Sequence, residues 1–148
     1  DAMLNGWPVH MMAAAGSGKT FFLVHLCLKL LYSTHEGYVL VVTQTKSLAL
    51  FIANWLGQRM ERVVVSQSML QRVHFMYMPD QSTKLQGPFA VDVQQGKITM
   101  QKWTGGSVEY KLTAVDEAHH ILEDPANYNS ILVRHAACMA ASWYLCKI

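Results

Sequence analysis

Between Val9 and Tyr32 the chain passes from a short apolar run into a glycine turn and then into a long stretch with no Gly or Pro. Val9 to Ala13 has the length and composition of a buried strand, and Lys19 to Tyr32 is long enough for a helix. A strand that hands over to a helix within a few residues must lay that helix back on the sheet, so this segment alone restricts the chain to sheet-and-helix layering. The helix is apolar nearly all round, with Phe21, Phe22, Leu23, Val24, Leu26, Leu28, Leu30 and Leu31, and is expected to lie sandwiched in a core. It ends before Ser33 and Gly37.

The same alternation continues downstream. Tyr38 to Thr43 is a continuous β-branched run, the pattern of a parallel strand covered on both faces. Ser47 to Met60 follows as a helix whose Leu48, Phe51, Ile52, Trp55 and Leu56 recur at helical spacing and predict one stripe facing the sheet. Arg62 to Ser66 is a third expected strand. From Gln67 to Gly96 the periodicity weakens, and the polar patch from Asp80 to Pro88 reads as a surface loop or insertion. Gly105-Gly106 lies between two strand-like runs, Lys97 to Trp103 and Val108 to Leu112, which predicts a hairpin. Asn127 to Ala141 reads as a helix and Ser142 to Ile148 as a last strand. The expected fold is therefore α/β, a three-layer αβα sandwich on a mainly parallel sheet, with ligands bound beyond the carboxyl ends of the strands.

At 148 residues with 51% apolar content, one domain with its own core is expected. The longest apolar stretch, Phe21 to Tyr32, is broken by His25 and Lys29 and falls short of the roughly 20 residues that cross a bilayer. No basic segment precedes an apolar one at the start, so the expectation is an intracellular protein, cytoplasmic or nuclear. The chain begins at Asp1 and ends on a strand, as a piece of a longer protein would. Cys27, Cys138 and Cys146 are widely spaced among apolar neighbours and suit buried thiols rather than disulfides or metal ligands. A net charge of +2 is too small to imply nucleic acid by itself.

The chemistry concentrates at two places. Ala13-Ala14-Ala15-Gly16-Ser17-Gly18-Lys19-Thr20 fits a phosphate-binding loop, with Ala13 where the usual pattern has Gly. Glycines let the backbone of Ala14, Ala15, Gly16, Ser17 and Gly18 turn its N–H groups inward around phosphate oxygens, and the helix behind adds a positive dipole end. Lys19 is expected to neutralise the outer phosphates and the Thr20 hydroxyl to ligate Mg²⁺. Asp116-Glu117-Ala118-His119 follows an apolar segment, where a phosphate loop needs acids at the end of a neighbouring strand. Asp116 is expected to hold Mg²⁺ and Glu117 to polarise an attacking water. Glu117 and His120 have Glu-x-x-His spacing, but that motif works in pairs and no second copy exists, so no transition-metal role is expected here. His119 is expected to sense the γ-phosphate or to link to another motif.

These stretches resemble the first RecA-like lobe of helicase-type ATPases, most closely superfamily 1 of the Rep/UvrD kind. Residues 14–20 are similar to that family's motif I, 41–49 (Val-Val-Thr-Gln-Thr-Lys-Ser-Leu-Ala) to motif Ia and 115–119 to motif II. The likeness spans about residues 8 to 122. His119 stands where superfamily 1 usually has Gln and is similar to the DEAH-box branch of superfamily 2. Schlafen-type switch proteins carry similar sequences, and the Lys19 to Asp116 interval is too compact for the large insertions of many motor helicases. The resemblance implies ATP with Mg²⁺ as cofactors, single-stranded DNA or RNA as partner, and Thr43, Thr45 and Lys46 as phosphate contacts. A Thr-rich strand end that caps the second helix explains the same three residues equally well. Trp7, Trp55, Trp103 and Trp143 would stack on bases or fill the core, the latter being commoner.

The resemblance also implies an adenine-reading motif before Asp1 and, beyond Ile148, a second lobe with arginine fingers worth about 10³ to 10⁵ in rate. The isolated chain is then expected to bind nucleotide far better than it hydrolyses it. The phosphate cradle alone would serve GTP equally well; ATP comes from the resemblance. A nucleotide-dependent switch and a degenerate binding module are the competing readings.

Overall fold

The computed structural model describes residues 9–12, 16–33, 36–60, 66–79, 82–136 and 142–147. Among these, seven strands form one sheet: β1 (Val9–Met12), β2 (Tyr38–Thr45), β3 (Val73–Met78), β4 (Gln86–Gln94), β5 (Lys97–Lys102), β6 (Tyr110–Val115) and β7 (Ser142–Lys147). Their order across the sheet is β1-β7-β6-β2-β3-β4-β5. All pairings from β1 to β3 are parallel, and β4 and β5 add an antiparallel edge. The expected α/β sandwich on a mainly parallel sheet is present.

The layers follow from side-chain alternation along the strands. In β2, Val39 and Val41 join the core under α1 (Lys19–Ser33), α2 (Lys46–Met60) and α3 (Ser66–Leu70). Leu40 and Val42 point the other way, into a smaller core with α4 (Ala118–Leu122) and α5 (Pro125–Ala136). All four are fully buried, so β2 is a central strand covered on both faces, as its continuous apolar run requires. Side chains of this size contribute about 1.5–3 kcal/mol each when fully buried.

Local choices fix the ends of the elements. The Thr45 hydroxyl accepts a hydrogen bond from Leu48 N–H (3.2 Å), capping the start of α2. Arg72 donates to Leu31 O at 3.0 Å, a cation on a carbonyl of the last turn of α1. Asn127 is buried. It donates to the carbonyls of Thr83 and Ile121 and accepts from Leu85 N–H, which pins the α4–α5 corner to the lead-in of β4.

Several expectations need correction. The hairpin is β4–β5, turned by Gln95-Gly96, both at positive φ as a two-residue turn of this kind demands. Gly105-Gly106 instead lies in the connection from β5 to β6, and β6 pairs with β2 and β7. The weakly patterned stretch from Gln67 to Gly96 holds β3 and β4. Ser66 opens a short helix, while 61–65, the bulk of the third expected strand, lie outside the described residues. So do Trp7, Cys138 and the last five residues of the Asn127 to Ala141 helix, of which α5 accounts for the rest.

The helices are less enclosed than their composition suggests. On α1, Phe21 and Tyr32 are exposed, and on α2 the buried face is Ala49, Ile52, Ala53, Leu56 and Met60, leaving Phe51 exposed. Trp55 packs between Phe21 and Phe51, with Arg59 over the Phe21 ring. No helix among the described residues is long and apolar enough to cross a membrane.

Candidate functional site

Two glycines set the loop before α1. Gly16 and Gly18 have φ of 76° and 87°, a region that costs other residues strain. A Cβ at either position would meet nothing within 4 Å, so the requirement comes from the backbone angle rather than from crowding. Gly18 O accepts from Phe22 N–H (2.9 Å) and so closes the first turn of α1. Lys19 and Thr20 therefore sit in the first turn, at the positive end of the helix dipole. Lys19 is buried at 7% exposure, although its side chain carries a charge.

The second half of the site comes from the far end of the chain. Asp116 N–H donates to Val42 O (2.9 Å), extending the β6–β2 ladder one residue past β6, which delivers the carboxyl group to the carboxyl ends of the parallel strands. Thr20 Oγ1 donates to Asp116 Oδ2 at 3.1 Å across 96 residues of sequence. Asp116 Oδ1 accepts from Glu117 N–H (3.1 Å). Asp116 is almost fully buried, and burial raises its pKa, with the charge of Glu117 adding to the rise. The Thr20 and Glu117 hydrogen bonds and the positive charge of Lys19 oppose it. A carboxylate kept in the interior with incomplete compensation is a group prepared for a cation.

Hard cations take oxygen donors, and neighbouring oxygens around an octahedral Mg²⁺ lie about 2.9 Å apart. The Thr20 and Asp116 oxygens, at 3.1 Å, fit that ion. Glu117 has φ 53° and ψ 44°, a left-handed conformation that is uncommon for a residue with a side chain and that clusters at working sites. Its Oε2 faces His119 Nδ1 at 3.7 Å, and neither atom has a hydrogen-bond partner among the described residues.

A glycine loop at a helix start, a lysine within it, and a threonine bonded to an acid from the end of another strand form one constellation. The family model for DEAD/DEAH box helicases matches residues 1–142. The chain belongs to the DEAD/DEAH box helicase family. Asp116-Glu117-Ala118-His119 spells the second form of that description. No curated protein and no solved structure matches the chain. Membership makes this a helicase-like RecA lobe, in a family associated with ATP and with nucleic acid.

Within this helicase-family lobe the sequence-derived candidates separate. Gly16, Ser17, Gly18, Lys19, Thr20, Asp116 and Glu117 all lie around the carboxyl ends of β2 and β6 and the start of α1. Ala14 and Ala15 lie outside the described residues. Thr43 needs correction as a nucleic-acid contact: it is fully buried, and its hydroxyl donates to Thr45 O (3.0 Å). Thr45 caps α2 and is exposed, and Lys46 beside it is exposed too. Trp55 and Trp103 are half-buried among aromatic neighbours, while Trp7 and the side chain of Trp143 lie outside the description. Glu117 with His119 and His120, set aside in the sequence for want of a second Glu-x-x-His copy, have donor atoms within 4.8 Å of one another.

Proposed function

We propose that this lobe binds Mg-ATP and hydrolyses it, and that hydrolysis is coupled to single-stranded nucleic acid. The Thr20–Asp116 hydrogen bond beside buried Lys19 carries the proposal, because it joins two motifs 96 residues apart into one oxygen pair next to a cation. Lys19 would hold the outer phosphates, and the N–H groups of the loop and first helical turn would bind phosphate oxygens. Mg²⁺, held by Thr20 and Asp116, would supply charge neutralisation for the triphosphate. Glu117, whose Oε2 has no hydrogen-bond partner among the described residues and faces His119 Nδ1 at 3.7 Å, would take the proton from the attacking water. Thr45 and Lys46, at the exposed end of β2, are the remaining candidates for backbone phosphates of a nucleic acid.

The branch within the family is also a proposal. The 41–49 stretch supports a Rep/UvrD-type or Schlafen-type lobe, and His119 supports a DEAH-type one. In either branch a second RecA-like lobe is the expected partner, and the cell interior the expected site of action.

Turnover of Mg-ATP, measured with and without single-stranded DNA or RNA, tests the reading. Glu117→Gln is expected to keep nucleotide affinity and to lose about 10²- to 10⁴-fold in turnover. Unchanged turnover removes Glu117 from this role. Turnover that ignores both nucleic acids would favour a nucleotide-driven switch instead.

A further inference from the structure

We propose that Glu117, His119 and His120 form a binding site for a first-row transition cation of the zinc class, separate from the Thr20–Asp116 oxygen pair. The single Glu-x-x-His spacing is not enough to expect it, because that motif works in pairs. Glu117 precedes α4 in a left-handed conformation, and its side chain makes no capping hydrogen bond to the helix. One donor atom from each residue falls in a group no wider than 4.8 Å. Glu117 Oε2 and His119 Nδ1 are 3.7 Å apart, and ligands on a tetrahedral zinc with bonds of about 2.1 Å are separated by about 3.4 Å. The His120 ring lies 3.8 Å from that of His119, so small side-chain rotations bring the third donor in.

Two further observations point to a ligand. Glu117 Oε2 and His119 Nδ1 are both shielded from solvent and both lack a hydrogen-bond partner among the described residues. Buried polar atoms left in this way are costly and call for a partner. Donor chemistry separates the two cation sites: hydroxyl and carboxylate oxygens suit Mg²⁺, whereas two imidazoles with one carboxylate suit Zn²⁺, Ni²⁺ or Co²⁺. Three protein ligands leave a coordination position for water. A consequence follows that rests on the proposed role of Glu117: with its carboxylate held by the cation, it is withdrawn from proton transfer, so Zn²⁺ inhibits turnover without displacing Mg²⁺.

The test uses the full chain free of nucleotide, titrated with Zn²⁺ against a chromophoric chelator. One Zn²⁺ per chain is expected to depend on this cluster, with affinity reduced by more than about tenfold in His120→Ala and in His120→Gln. His25→Ala, at an exposed histidine on α1, is expected to leave the affinity unchanged, as is excess Mg²⁺. Absence of stoichiometric binding, or affinity that survives both His120 substitutions in folded protein, overturns the site. In a second arm, Zn²⁺ at saturating Mg-ATP is expected to slow turnover of the parent chain and not of His120→Ala; full turnover with one Zn²⁺ bound overturns the inhibitory half. If Mg-ATP gives no turnover with or without single-stranded nucleic acid, the proposed function fails, while the chelator titration still decides the cation site.

Discussion

The parallel strands β2, β3 and β6 carry buried polar groups at both ends, and the two ends treat them differently. At the amino ends, His74 is fully buried, its Nδ1 is 2.8 Å from Tyr110 Oη, and Tyr38 and Trp103 pack around it. Burial, with the charge of Arg134 assisting, holds the imidazole down to about 4, and burial pushes the Tyr110 phenol up to about 12. Both groups are kept neutral and bonded to each other within the core, and His74 Nε2 has no hydrogen-bond partner among the described residues. At the carboxyl ends, Asp116 is as deeply buried but stands among Lys19, Thr20 and Glu117, beside two glycines and a glutamate with positive φ. The lesson is that burial of a titratable side chain does not identify a working site. What does is burial joined to strained backbone and opposite charge at the strand ends where ligands bind.

Substitutions at the two ends sharpen this contrast. The largest effect on stability is expected from His74→Ala, which opens a cavity and strands the Tyr110 hydroxyl, at a cost of about 2–4 kcal/mol in denaturant unfolding. Nucleotide affinity of the folded variant should not change, and its loss would break the distinction between the two ends. The same histidine sets a pH dependence. Its folded pKa lies below the unfolded one, so its contribution is complete above 6.5 and is lost as the pH falls toward 4. Melting temperature followed through that window should fall less steeply in His74→Gln than in the parent.

Asp116→Asn is expected to act with the opposite sign. Because the folded pKa of Asp116 is raised, its ionised form costs stability at neutral pH, and the cost disappears as the pH falls through the folded value. Removing the charge should raise the melting temperature of the nucleotide-free protein. Mg-nucleotide should then stabilise the parent and not the variant. The smallest effect is expected from Thr45→Ala, which loses the cap of α2 and about 1 kcal/mol by calorimetry.

The glycine loop, α1, β2, α2 and the Asp116-Glu117 pair were legible in the sequence because local signals agree there: glycines at a strand–helix junction, a continuous β-branched run, helical spacing, and acids after an apolar strand. The antiparallel edge was not. In β3 the apolar run is broken by His74, whose burial depends on Tyr110 from a distant segment, and Gly87-Pro88 near the start of β4 looks like a loop. The turn signal at Gly105-Gly106 is stronger on its face than Gln95-Gly96, yet only the latter turns a hairpin. The Glu117–His119–His120 cluster shows in the sequence only as an unpaired Glu-x-x-His spacing, because the closeness of His119 to Glu117 and the left-handed backbone before α4 are in no spacing rule.

The central claim is that Gly16, Gly18, Lys19, Thr20 and Asp116 make one cage for a metal-bound triphosphate. Titration of the full chain with a fluorescent Mg-nucleotide analogue tests it directly. The account predicts a saturable signal that disappears in Lys19→Ala, a variant that still melts cooperatively. A saturable signal of equal affinity in Lys19→Ala, or none from the well-folded parent chain, would contradict it.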